Sequence, residues 1–159
     1  MVATISKGAV AQYYLRRTEY YLGGNEPAGV WLSASSHLGI TVGQKVEADL
    51  FEKLHAGLGP DGQRLITNDG GKERVSGFDL TLSAPKSVSI AYALADADTR
   101  AAIEQVQLNA CKAVVAMLNR EAAFTRRGRN GVIIEKTSLI VAAFQHAEAR
   151  PAAHIDGLV

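Results

Sequence analysis

Four of the five tyrosines in this 159-residue chain fall in two pairs, Tyr13-Tyr14 and Tyr20-Tyr21. Tyr13 and Tyr20 are seven residues apart, as are Tyr14 and Tyr21, so a continuous helix would stack each pair on one face. Such a helix can simply pack its phenol rings and leave the hydroxyls at the surface. It can also present a nucleophile. A phenol attacks phosphorus to form a phosphotyrosine, but its ordinary pKa of about 10 means that a base, a metal or a basic pocket must help remove the proton.

His154-Ile155-Asp156 sets an imidazole and a carboxylate two residues apart, on the same side of an extended segment, and His146 ends the strand before them. Two imidazoles and one carboxylate suit a divalent cation, Mg²⁺ or Mn²⁺ among others, that polarises a phosphoryl oxygen. The same residues can equally be surface polar groups, because spacing alone is weak support for a metal site. Asp79 stands on the polar side of an otherwise apolar strand, where a carboxylate can act as a general base or orient a metal-bound histidine. Lys72, Arg74, Lys86, Arg126, Arg127 and Arg129 are candidate phosphate contacts, and Trp31 a candidate platform for an unpaired base.

Local sequence predicts the elements that carry these groups. Val2 to Ser6 reads as a strand and Ala9 to about Arg17 as a helix. Gly23 to Gly43, rich in Gly, Ser, Asn and Pro, reads as a surface excursion anchored by Trp31. Lys45 to Leu58 places Val46, Leu50, Leu54 and Leu58 at helical spacing and stops at Gly57-Leu58-Gly59-Pro60, and Asp61 to Glu73 is loop by composition. Gly77 to Ser83 alternates, with Phe78, Leu80 and Leu82 on a dry face and Asp79, Thr81 and Ser83 on a polar one. Ser83 is then the expected cap of a helix with Pro85 in its first turn and Val88, Ala91, Tyr92 and Ala95 as its apolar stripe. A second cap at Asp98 opens a longer helix to about Arg120, with Ile103, Val106, Ala110, Val114 and Met117 turned inward. Phe124 to Gly131 reads as a basic loop, and Val132 to Ile134 and Ser138 to His146 as strands, the latter central because it is apolar on both sides.

Composition bounds the class. With 47% hydrophobic and 21% charged residues and a net charge of +1, the chain fits one globular domain over 1–159. Near-neutrality excludes binding nucleic acid by bulk charge alone. The lone Cys111 cannot form an internal disulfide, no run is long and apolar enough to span a membrane, and the start lacks the apolar region of a signal peptide, so a cytoplasmic protein is expected.

Three stretches in fixed order carry a resemblance: the two tyrosine pairs, the strand and helix start Asp79-Leu80-Thr81-Leu82-Ser83-Ala84-Pro85-Lys86-Ser87-Val88-Ser89, and Phe144-Gln145-His146. Together they resemble the N-terminal half of the relaxase domain of TrwC/TraI-type conjugative relaxases, so the chain looks like a truncated form of that domain. The resemblance implies an α+β fold of the kind shared with rolling-circle initiators, the HUH endonucleases: an antiparallel sheet with helices on one face and the DNA site on the other. It implies a bacterial protein that nicks one strand of DNA at an origin of transfer, with Tyr13 as nucleophile, Tyr20 as a second strand-transfer tyrosine, and Tyr14 and Tyr21 in support. Asp79 would be base or orienter, and His146 and His154 metal ligands, with Asp156 where the family has a further histidine. Implied partners are single-stranded or hairpin origin DNA and other conjugation proteins. Two alternatives stand beside this reading: a DNA-binding remnant that does not nick, and a rolling-circle replication initiator.

Overall fold

The computed structural model describes residues 2–8, 11, 28–66 and 74–146. Its elements are β1 (Val2–Lys7), β2 (Val30–Trp31), α1 (Ala48–His55), β3 (Phe78–Ser83), α2 (Lys86–Leu94), α3 (Ala97–Glu121), β4 (Phe124–Arg127), β5 (Ile133–Lys136) and β6 (Ala142–Ala143). The described strands form three antiparallel pairs, β1 with β3, β2 with β6, and β4 with β5. The chain is therefore a mixed α and β structure with small antiparallel ribbons.

Alternation dictates the first ribbon. Register sets Ala3 opposite Leu82, Ile5 opposite Leu80 and Lys7 opposite Phe78, while Val2, Thr4 and Ser6 face Ser83, Thr81 and Asp79. Paired residues share a face, so one side is mostly apolar and the other carries four hydroxyls and a carboxylate. The apolar side is only partly dry. Leu80 and Leu82 are half-buried at the end where Gln107 of α3 donates from Nε2 to the Leu82 carbonyl at 3.0 Å, whereas Ile5 and Phe78 are 69% and 71% exposed.

The core gathers around Trp31, which is 2% exposed, with Ile40 and Val46 buried beside it and Leu38, Leu50, Phe51, Leu54, Ala142 and Phe144 packed against them. Trp31 is thus a core residue of β2 and not the anchor of a surface excursion. A ring so enclosed offers no face to a base. Burying an aliphatic side chain such as Ile40 or Val46 contributes roughly 1.5–3 kcal/mol. α1 supplies Leu50, Phe51 and Leu54 from one face, as their spacing predicts.

Several boundaries differ from expectation for local reasons. Ser83 ends β3, and Pro85 occupies the cap position of α2, its carbonyl accepting the Val88 and Ser89 N–H groups at 2.9 and 3.2 Å. Asp96, not Asp98, caps α3, because Thr99 lies three residues on and donates its N–H to Asp96 Oδ1 at 2.8 Å. That helix is rotated relative to the expected stripe: Val115 is buried, while Val106 and Met117 are 68% and 46% exposed. The basic loop is half strand, since β4 pairs with β5 and only the turn between them is irregular. Of the expected central strand 138–146, only Ala142–Ala143 pairs in a ladder. Of the expected first helix only Ala11 is described, helical and buried.

Candidate functional site

Asp79 lies near the start of β3, half-buried, directly opposite Ser6 and two residues from Thr81, which faces Thr4. Opposed residues in an antiparallel pair bring their Cβ atoms to about 4.5–5.5 Å, so the carboxylate stands among hydroxyl groups on a polar, open face. Such surroundings can hold a carboxylate in one orientation while leaving it accessible to a proton donor. Thr4 and Ser6 extend this face, and the Val-x-Thr-x-Ser alternation of the first strand is the sequence signal that marks them once the register is known.

His146 follows β6 by three residues and is exposed. Its approach is fixed from inside the core. Phe144 packs edge-on against Phe51, centroids 5.6 Å apart at 80°, and a Cβ on Gly29 would come within 2.5 Å of the Phe144 ring. Glycine at 29 is therefore a condition for seating Phe144, two residues before the histidine.

The β4–β5 ribbon carries the arginine group. Arg126 and Lys136 share a face with Phe124 and Ile134, and Arg127 shares the other with Glu135, whose Oε2 it meets at 3.0 Å. Arg129 sits in the connecting turn, where Gly128, Asn130 and Gly131 have φ of 77°, 63° and 64°. Those positive φ values suit glycine and asparagine, which is why this stretch can fold back so tightly. Among the described residues, Arg126 and Arg129 have no ion-pair partner, so the ribbon offers unpaired positive charge at its tip.

The remaining basic candidates are placed differently. Lys86 is the exposed first residue of α2. Arg74 donates from Nη2 to the His55 carbonyl at 2.8 Å, closing the C-terminal end of α1, an interaction its sequence position did not announce. Tyr13, Tyr14, Tyr20, Tyr21, Lys72, His154 and Asp156 lie outside the described residues. Among the described residues no three His, Cys, Asp or Glu side chains come together as a metal site. Burial pushes the Cys111 thiol up from its ordinary pKa, which keeps it protonated and unreactive. No helix among the described residues is long and apolar enough to cross a membrane.

Comparison with known proteins bears on the whole of this arrangement. The family model described as TrwC relaxase matches residues 7–156. Two curated relatives, each named multifunctional conjugation protein TraI, one from Escherichia coli and one from Escherichia coli strain K12, are each 30% identical over 155 residues, covering 91% of this chain. The chain spans 8% of the length of either relative. No solved structure gives a significant match. The matched region runs from the end of β1 past His146 and takes in the tyrosine pairs, the Asp79 strand and the arginine ribbon, and on that span the chain belongs to the TrwC relaxase family.

Proposed function

We propose that this chain is a strand-specific DNA-nicking module that acts by tyrosine transesterification at an origin of transfer. The observation that carries the reading is the family match across residues 7–156, within which the tyrosine pairs, Asp79 and His146 all stand in the expected order. On this reading the polar face of β1 and β3 is the side on which the reaction takes place, and the helices of an HUH-type arrangement would cover the other.

In the reaction, the Tyr13 Oη attacks the scissile phosphorus. A P–Oη bond forms, the bond from phosphorus to the 3′ oxygen breaks, and the 5′ phosphate stays on the tyrosine. The phenol proton passes to the Asp79 carboxylate, and the 3′ oxygen leaves as a hydroxyl by taking up a proton from water or the one Asp79 has just received. One phosphodiester replaces another, so the step is reversible without a nucleotide cofactor. Tyr20 would serve a second transfer, with Tyr14 and Tyr21 in support.

His146, His154 and Asp156 would hold a divalent cation, Mg²⁺ or Mn²⁺, since two imidazoles and a carboxylate form a chemically suitable donor set. When bound, such an ion supplies polarisation of the phosphoryl oxygens. Arg126 and Arg129 hold neighbouring phosphates of single-stranded or hairpin DNA.

The test is adduct formation. The chain incubated with single-stranded oligonucleotides from its own replicon and Mg²⁺ or Mn²⁺ gives a covalent protein–DNA band that Tyr13→Phe abolishes. Retarded complexes without any adduct in the wild-type protein would instead leave a DNA-binding module that does not nick.

A further inference from the structure

The segment that leads to His146 is extended but nearly ladderless. Extending the β2–β6 register by one pair sets Leu32 opposite Val141. A complete antiparallel pair there would exchange two backbone bonds, and only one is made, from the Leu32 N–H to the Val141 carbonyl at 2.9 Å. The other is replaced. The Val141 N–H donates instead to the Ser33 Oγ at 2.8 Å, and Ser33 is only 6% exposed.

Two residues earlier the same substitution recurs from a different element. The Leu139 N–H stands two residues before that of Val141, in a stretch that pairs with no strand among the described residues, and beyond Ser33 the chain turns away into the tight turn that joins Ser35 to Ile40. No strand remains to receive it. Asn119, in the last turn of α3, accepts it on Oδ1 at 2.8 Å. Two side chains thus complete an edge that β2 is too short to serve.

A two-residue ladder fixes register weakly, and a slip of one residue would turn every side chain of the segment to the opposite face. We propose that Ser33 and Asn119 are positioning residues that hold the segment in the register that presents His146. This rests on the reading of His146 as a metal ligand. Neither side chain belongs to the donor set of that reading; each would act through the backbone that carries the histidine.

The experiment uses the full chain and Mn²⁺ alone, titrated by the electron paramagnetic resonance of the free ion, with amide exchange read at positions 139 and 141. Groups bonded directly to a metal ligand typically cost 10–100-fold in metal affinity when removed, and these two act one step further back through the backbone, so Ser33→Ala and Asn119→Ala should each weaken Mn²⁺ binding by up to about tenfold. Asn119→Asp, which keeps an acceptor oxygen, should restore affinity and Leu139 protection. If Ser33→Ala does not fold, the Asn119 pair decides alone. Loss of binding in His146→Ala with wild-type affinity in both alanine variants would overturn the proposal, as would Asn119→Asp binding as weakly as Asn119→Ala. Wild-type affinity in His146→Ala would overturn the ligand assignment itself, and the positioning role with it.

Discussion

The places of Asp79 on the polar side of its strand and of His146 after an apolar run were legible from residue type and neighbours alone, because both are local signals. Gly29 was not. Its importance lies in the Phe144 ring that occupies the space of the missing side chain, and nothing near position 29 in the sequence points to position 144. Gly29→Ala should overpack this contact and destabilise the protein by about 1–3 kcal/mol, read as a lower denaturant midpoint with Trp31 fluorescence as the probe. An unchanged midpoint would mean that the Phe144 ring has room to move aside.

Asp96 makes a prediction in pH. The Thr99 N–H holds its carboxyl below the ordinary value of 3.8, so the native state takes up this proton less readily than the unfolded one. The stabilisation is therefore complete above about 3.8 and fades as pH falls through the lower native value. Asp96→Ala should melt at a lower temperature than wild type near neutrality, with the gap closing in strong acid. A gap that stays constant across that range would assign the cap to something other than the ionised carboxylate.

Patterns that repeat along a whole element were read correctly, whereas element ends and strand pairings were not. The alternation of β1 and β3 and the 3.6-residue spacing of α1 needed no outside information. The cap of α3 shifted by two residues because Asp96 and Asp98 are the same residue type, and only the reach to the Thr99 N–H separates them. The stretch 124–131, read as a basic loop, is irregular only in its turn, where Gly128 and Gly131 have positive φ. The segment before His146 looked like a central strand on hydropathy, but its edge is completed by residues 33 and 119, which no local window contains.

The β4–β5 ribbon carries its own test. Arg126 and Arg129 have no ion-pair partner among the described residues, whereas Arg127 is held by Glu135. If the first two contact phosphates of a single strand, Arg126→Ala and Arg129→Ala should each flatten the plot of log affinity against log salt by about 0.7. Arg127→Ala should change it less. Fluorescence anisotropy of a labelled oligonucleotide over a series of NaCl concentrations reads this directly, and an unchanged slope in all three would remove the ribbon from the interface.

Across the molecule, the core is a meeting of remote parts. Residues 31–54 build most of it, and Ala142 and Phe144 complete it from the other end of the described chain. The Asp79 ribbon and the arginine ribbon lie outside this cluster, so each brings its functional groups on a separate two-stranded unit. Family membership was legible in sequence because it rests on strings of residues. The joining of those strings was not, since register, rotation and side-chain acceptors are decided by packing.

This layout also fixes an order in time. The β4–β5 hairpin closes over a short loop, an event of roughly 1–10 μs in isolated hairpins, whereas Ser33 and Val141 meet across 108 residues. The loop-closure entropy of that long-range contact must be met before any bond rewards it. In pulse-labelled exchange during refolding, the amides of β4 and β5 should therefore gain protection before that of Val141, and simultaneous protection would reject the order. The arginine ribbon is then finished early, and the backbone that carries His146 is among the last parts to settle. A chain caught part-way through folding would carry the finished arginine ribbon while the segment that ends at His146 was still unsettled.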